Sequence, residues 1–528
     1  MFRKTVAVPA LLVLCTLLGA SPASAQKYGG ILKSVQRANP AHLSIHETST
    51  INTQWAMSPV YNNLLYQDPL QVIETFDTVI PDLAKSWAWS ADNLQLTFKL
   101  HEGVKWHDGS PFTARDVKYT FDLVRGVAED KLRLNPRKGW FANVKDITTR
   151  GDHEVTFHLA RPQPSLVLLL AAGYSVIYPA HVPSAKLRTE TMGTGPFRLV
   201  EYKRDQVLKV RKNQDYFVKG RPYLDGIDYI VIRSKATQMA SLVAGQVDIT
   251  MPTETGEKQY QALKQAVPDM VFNKVHLGNN VNILLNNKRP PFNDARLRRA
   301  ISMAVDRNVY VRAVEPGYLP GAIMLPRPHG GWGLAAEELK GLPGYRDPAL
   351  DKEEARKVMR ELGYGEAKRL QVKVTTRTPA NYQTGATWLL SELKQIYIDA
   401  EMEVLEDGSW YPRQARRDYA IAWNGTGYAV DDPDVVYTEN YTCNSQRNYS
   451  DYCDPEAEAL FARQSSMVDR AERSKLVLEI ERKLINDVAR VSMGFRTDYN
   501  ARRSYVKNFV GHNTVYTFAR MQDVWLDK

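Results

Sequence analysis

The chain has 528 residues, with 69 Lys plus Arg against 59 Asp plus Glu, a formal charge of +10. Hydrophobic residues make up 44% and charged residues 24%, a globular balance that disfavours wholesale disorder, collagen-like repeats and a multi-span membrane protein. The cations are scattered, with no run of five or more Lys/Arg, so the clustered footprint of a nucleic-acid binder is missing and no such partner is expected.

Arg3 and Lys4 precede an apolar stretch from Val6 to Ala20, and Ser21-Pro22-Ala23-Ser24-Ala25-Gln26 follows. A cationic start, a short apolar centre and small residues at the end predict a secretory signal peptide cleaved after Ala25. Cys15 follows Leu14 where a lipid anchor wants a small residue, so a soluble exported product is expected. The longest later apolar run, Leu166 to Ala172, falls far short of the ~20 residues a membrane span requires.

Strand and helix signals then alternate irregularly, without repeats or low-complexity tracts. Leu94, Leu96, Phe98 and Leu100 alternate with polar residues and predict a half-buried strand, as do Val155, Phe157 and Leu159. Leu208 and Val210 repeat the pattern, and Ile227 to Ile232 reads as a more central strand. Helices are clearer downstream. Leu297, Ala300, Ile301, Ala304 and Val305 mark one face, capped by Asn293 or Asp294. Ala355, Val358, Met359 and Leu362 mark another, with Gly363 at the expected left-handed C-terminal cap. Trp388, Leu389, Leu393 and Ile396 form a third. Asp454-Pro455-Glu456 starts a further helix, and Leu476, Ile480, Leu484 and Val488 repeat every four residues beyond it. Mixed elements throughout predict α/β or α+β lobes. Cys443 and Cys453, ten apart, are the only cysteines past the leader; in an oxidising compartment they are expected to form a disulfide.

Motifs that mimic catalysis have plainer explanations. In Trp106-His107-Asp108-Gly109, followed by Ser110-Pro111, the Asp-Gly pair is turn chemistry, and Thr113 caps a helix whose first turn holds Asp116. Gly193-Thr194-Gly195-Pro196 lacks the third glycine and the lysine of a phosphate loop and reads as a strand-entry turn. His42 and His46 have zinc-pair spacing, but no third ligand is near, so no metal or other cofactor is expected. No Gly-x-Ser-x-Gly or His-Glu-x-x-His occurs. Asp431, Asp432 and Asp434 are glycosidase candidates by type only and, with Pro433, read first as a turn and helix cap.

An ordered set of motifs resembles the bacterial extracellular solute-binding proteins of family 5, the dipeptide, oligopeptide and nickel type receptors of ABC importers. It comprises Pro81 to Trp87, Leu100 to Gly109, Pro111 to Val117, Gly193 to Phe197, Asn213 to Phe217, Leu224 to Ile227, Leu242 to Ile249, Leu285-Asn286, Pro291 to Asp294, Arg298 to Ala300 and Ala304 to Arg307. The resemblance covers nearly all of the chain beyond the leader. It implies a two-lobed α/β periplasmic-binding-protein fold with an extra subdomain in lobe I. Lobe I would hold 26–280 plus 493–528, the extra subdomain about 56–188, and lobe II 281–492. It implies a periplasmic, non-enzymatic, monomeric receptor that closes on a small peptide-like or opine-like solute and delivers it to ABC permease subunits at the inner membrane. The competing readings are a periplasmic peptide or glycan hydrolase and a periplasmic chaperone.

The family's binding segment maps to Ala422 to Tyr428, making Trp423, Asn424, Thr426 and Tyr428 candidate ligand contacts. The alternative places Trp423 in the core and makes the glycines a bulge. Arg377, after the strand Gln371 to Val374, matches an arginine that clamps the ligand carboxylate in dipeptide-binding members; the alternative is a solvated loop arginine. Arg37, Asn39 and His42 follow the first strand and are candidates from lobe I. One departure stands out. Dipeptide and oligopeptide members carry an Asp three residues after the tryptophan, where it pairs with the ligand's amino group; Thr426 stands there, and carboxylates arrive only at Asp431 and Asp432. An unpaired ammonium in a dry pocket is costly, so an ordinary free-amino dipeptide is disfavoured. A modified peptide, an opine-like acid, a larger oligopeptide or another small polar molecule remains open.

Overall fold

Ile31–Gln36 begins a four-stranded sheet. In this computed structural model, which describes residues 26–528, it pairs in parallel with Gly226–Val231, which is followed across the sheet by Val207–Lys212 and Phe197–Lys203 in antiparallel order. Leu208 and Val210, whose alternation predicted their strand, are buried, as are Ile227 and Tyr229 of the run read as a central strand and Leu32 and Val35 of the first. The signal-peptide expectation for residues 1–25 lies outside the described residues.

A second, wholly antiparallel sheet is inserted between the first two strands of the first. Its order is Ala84–Trp89, Gln95–Leu100, Glu154–Leu159 and Val144–Thr149. Leu96, Phe98 and Leu100 turn inward, with Phe98 packed edge-on against Phe157 at 5.7 Å. The helix Ala114–Arg125 covers that face through Phe121, 5.1 Å from Phe157. Its start is fixed by the Thr113 backbone N–H, which donates to Asp116 Oδ2 at 2.8 Å, and its end by Gly126 at φ 78°.

The third sheet has five strands in the order Ile398–Leu405, Leu370–Arg377, Ile421–Gly427, Val275–Leu285 and Val491–Asp498. The first three run in parallel and the last two pairings are antiparallel. Helices Ala295–Ala304, Pro348–Glu361 and Ala380–Lys394 pack on it, burying Leu297, Ile301, Met359, Leu389 and Leu393. Asp294 caps the first of these by accepting from the Arg296 backbone N–H at 2.8 Å, and Gly363 takes φ 83°, as their positions predicted. Asp454 likewise caps Pro455–Ser465, and Arg470–Asn486 packs beside that helix.

The chain passes between the first and third sheets along two adjacent segments. Val271–Phe272 pairs with Ala501–Arg502 on one side; Val275 pairs with Asp498 on the other, inside the five-stranded sheet. Between them the Asn273 N–H donates to the Asn500 carbonyl at 3.4 Å. Two neighbouring strands are a narrow connection about which larger bodies can rotate. The bodies also meet away from it. Asp434 accepts from Ser165 and, at 2.5 Å, from Gln464, while Arg161 donates to Ser465 at 3.0 Å and Ser466 at 3.1 Å. Cys443 and Cys453 are disulfide-bonded. Among the described residues no helix is long and apolar enough to cross a membrane.

Candidate functional site

A cavity of about 630 Å³, counting its open mouth, lies between the first and third sheets. One wall carries Arg37, the turn Ser49 to Asn52, Thr253 and Tyr516; the other carries Asn279, Asn424 to Gly427, and Arg377, Arg447 and Arg496.

The strand Ile421–Gly427 explains much of the second wall. Successive side chains on a strand point to opposite faces. Trp423 goes inward, 1% exposed, with ring centroids 5.4 Å from Tyr310 and 6.3 Å from Trp388. Asn424 goes to the other face and lines the cavity, its Oδ1 buried without a partner among the described residues. Thr426 lines it as well and accepts from Asn282 Nδ2 at 3.1 Å. Gly425 leaves room: a Cβ there would stand 3.0 Å from the Tyr382 hydroxyl and 3.2 Å from Asn279 Oδ1.

Among the described residues, four arginines line the cavity and no Asp or Glu does. Arg37 donates to Asn52 Oδ1 at 3.1 Å and Thr253 Oγ1 at 3.0 Å, and pairs with Glu254 at 3.1 Å. Arg447 donates to the Gly427 carbonyl at 3.0 Å and pairs with buried Glu439 at 3.1 Å. Arg377 lies over two rings, 4.7 Å from the centroid of Tyr382 and 5.1 Å from that of Tyr411. Arg496 approaches Tyr382 too, at 5.1 Å. Guanidinium planes stack on aromatic faces, which holds their donors in a fixed plane.

Of the eight candidates, Arg37, Arg377, Asn424 and Thr426 meet at this cavity, and Trp423, Tyr428, Asn39 and His42 do not line it. Trp423 is core, the alternative stated for it. Tyr428 accepts a hydrogen bond from the Leu325 N–H at 3.1 Å, and a Cβ on Gly278 would collide with its ring. Asn39 donates to Asp205 at 2.8 Å on the surface. The backbone carbonyl of His42 accepts from Thr53 Oγ1 at 3.0 Å. Arg447, Arg496, Tyr411, Asn279 and Tyr516 are among the lining residues that the sequence motifs did not mark.

The other flagged motifs are structural. Asp108 accepts from the Ser110 N–H at 2.9 Å, closing the turn, and Trp106 is buried. Gly193 and Gly195 pack against the backbone of Val60, where any Cβ would collide. His46 bonds the Val176 carbonyl at 2.8 Å, and burial pushes its pKa down to about 4. No group of three metal-ligating side chains occurs among the described residues. Asp431 accepts from the Gly331 N–H at 2.8 Å, and burial pushes its carboxyl up to about 7. Asp432 is held by Arg473, and Asp434 by Ser165 and Gln464.

The sequence profile described as "Bacterial extracellular solute-binding proteins, family 5 Middle" matches residues 78–448. The chain belongs to this family. As a member it binds a solute rather than transforming one. It is 26% identical over 515 residues to "Probable di/tripeptide-binding protein 5" of Pseudomonas aeruginosa (strain UCBPP-PA14), covering 90% of this chain and 91% of that protein. It is 25% identical over 464 residues to "Periplasmic oligopeptide-binding protein OppA" of Escherichia coli (strain K12), covering 82% of each. Among solved structures, the periplasmic binding protein DppA from Helicobacter pylori in complex with peptide STSA superposes with TM-score 0.82 at 20% identity, covering 95% of this chain and 99% of that one. The PBP AgaA in complex with agropinic acid from A.tumefacien R10 does so with TM-score 0.80 at 22% identity, covering 94% and 99%. The two-lobed α/β binding-protein fold expected from the motifs is therefore the fold of this family member.

Proposed function

We propose that this chain is the periplasmic ligand-capturing component of an ABC importer, holding a small peptide-like or opine-like solute between two lobes and handing it to permease subunits. The observation that carries this is the cavity between the two main sheets, walled from both and rich in arginine and tyrosine. Relatives named as peptide-binding proteins, and a neighbour of the same fold in complex with agropinic acid, support a peptide-like or opine-like ligand class.

In this reading lobe I comprises about 26–273 plus 500–528 with its subdomain near 56–188, and lobe II about 274–499, moved from the expected bounds of 280 and 493 because Val275–Leu285 and Val491–Asp498 lie in the third sheet. The paired segments near Asn273 and Asn500 act as the hinge. Arg37 contributes from lobe I, and Arg377, Asn424 and Thr426 from lobe II. Contacts to both walls exist only when the lobes are closed, so a ligand shifts the open–closed equilibrium by its differential affinity. The chain is exported by a leader cleaved after Ala25 and works as a monomer.

A thermal-shift screen of the mature protein tests the reading. One compound class should raise the melting temperature by mass action, by about 2.7 kcal/mol of stability at a hundred times Kd, and return chemically unchanged. A ligand returned cleaved would favour the hydrolase. Broad stabilisation by unfolded chains, with no small ligand, would favour the chaperone.

A further inference from the structure

Arg496 is the exception among the buried arginines. It is 8% exposed on the strand Val491–Asp498 and lines the cavity. It makes no ion pair or hydrogen bond with any described residue, and its Nε is buried without a partner. The fold does not usually tolerate this. Arg473 is paired with Asp432 and Arg520 with Asp82, each at 2.6 Å, and Arg307 donates to the carbonyls of Ser302 and Ser492 at 2.9 and 2.8 Å. Glu315 is the carboxylate that acts on Arg496 through space, from beyond ion-pair distance, and burial raises its carboxyl pKa toward the neutral form. A desolvated guanidinium with five donors is costly unless an anion completes it.

Among the described residues, no acidic side chain lines the cavity. Glu254 is occupied by Arg37 and Lys235, at 3.1 and 2.9 Å, and Glu439 by Arg447. Asp431, Asp432 and Asp434 are each bound elsewhere. Besides arginine, tyrosine and hydroxyl side chains the walls offer amide: the Oδ1 atoms of Asn279 and Asn424 are buried acceptors without partners among the described residues. Neutral acceptors suit the N–H of an amide; they do not neutralise an ammonium.

We propose that the cavity selects N-blocked, peptide-like carboxylic acids: the ligand's carboxylate docks on Arg496 over the Tyr382 ring, its amide N–H groups meet Asn279 and Asn424, and a free amino terminus has no seat. This rests on the receptor reading above and narrows its substrate class. Arg496 sets the charge of the guest; a zwitterionic dipeptide leaves its ammonium desolvated among arginines.

Calorimetric titration of the mature protein with matched pairs of short peptide acids, N-acetylated and free-amino, decides this. The N-acetyl member of a pair should bind at least tenfold more tightly than its free-amino twin. Arg496→Gln should lose at least tenfold for N-acetyl peptides and Arg496→Lys should recover part of it, while Arg496→Gln does not lower the ligand-free melting temperature, since it removes a buried guanidinium without an ion pair. Equal or tighter binding of the free-amino members, or undiminished binding by Arg496→Gln, overturns the inference and leaves the receptor reading standing. If neither member of any pair binds, the peptide-like reading fails with it. The wild-type comparison decides even if both variants misfold.

Discussion

Arg473 holds Asp432 with two hydrogen bonds, Nη1 to Oδ2 at 2.9 Å and Nη2 to Oδ1 at 2.6 Å, both residues being buried. The pair fixes the start of the helix Pro433–Asn440, where Asp432 also accepts from the Asp434 N–H at 2.9 Å. It also consumes a carboxylate that follows the strand Ile421–Gly427, so Asp432 serves the fold rather than the cavity.

Breaking that pair from one side strands a buried charge. Arg473→Ala should therefore destabilise the protein by roughly 3–5 kcal/mol in denaturant unfolding. A loss under 1 kcal/mol would mean the pair is replaced by solvent.

Trp423→Ala acts on stability as well. The indole fills the core between Tyr310, Trp388 and Gly385, and removing it leaves a large void. The expected cost is about 3–5 kcal/mol, with any weakening of ligand binding secondary to it. An unchanged midpoint with abolished ligand response would return Trp423 to the cavity.

The sequence made the family, the fold and half of the candidate site legible because each is encoded locally. The Asn424 to Thr426 segment is marked by its composition, and Arg377 by the strand before it. Trp423 misled because a strand places adjacent residues on opposite faces, and composition does not say which face is core. Arg447 and Arg496 were hidden for another reason. Their role comes from three-dimensional placement: one sits in the disulfide loop and folds back onto Gly427, the other lies on a strand whose eight residues are all buried. An arginine within such a strand was the available signal.

The disulfide loop should matter to binding. Its closure of ten residues of chain is expected to contribute about 3 kcal/mol of stability. Arg447 lies within the loop and reaches the cavity. Reduction should lower the melting temperature and weaken ligand binding together; a drop in stability at full affinity would separate Arg447 from the site.

Asp431 sets a pH dependence. Its carboxyl is pushed up to about 7 in the folded protein, first by burial, whereas an unfolded Asp titrates at about 3.9. The folded state therefore holds the proton more tightly. That contribution is fully present below pH ~4 and is lost as the pH rises through about 7. Asp431→Asn should stabilise relative to wild type at pH 8 and lose that advantage at pH 4, as read from melting temperatures across the range. An advantage independent of pH would show that Asp431 does not carry the proton.

The cavity itself is tested most directly by what leaves it. Gly425 has no side chain, and a Cβ there would already stand 3.0 Å from the Tyr382 hydroxyl and 3.2 Å from Asn279 Oδ1, so Gly425→Val narrows the space between them. Wild type and Gly425→Val, purified from the same cells under identical conditions, should be denatured and their small-molecule contents weighed by mass spectrometry. The account predicts one small acid, near one per wild-type chain and absent from the variant. The same compound recovered in equal amount from both proteins would contradict it.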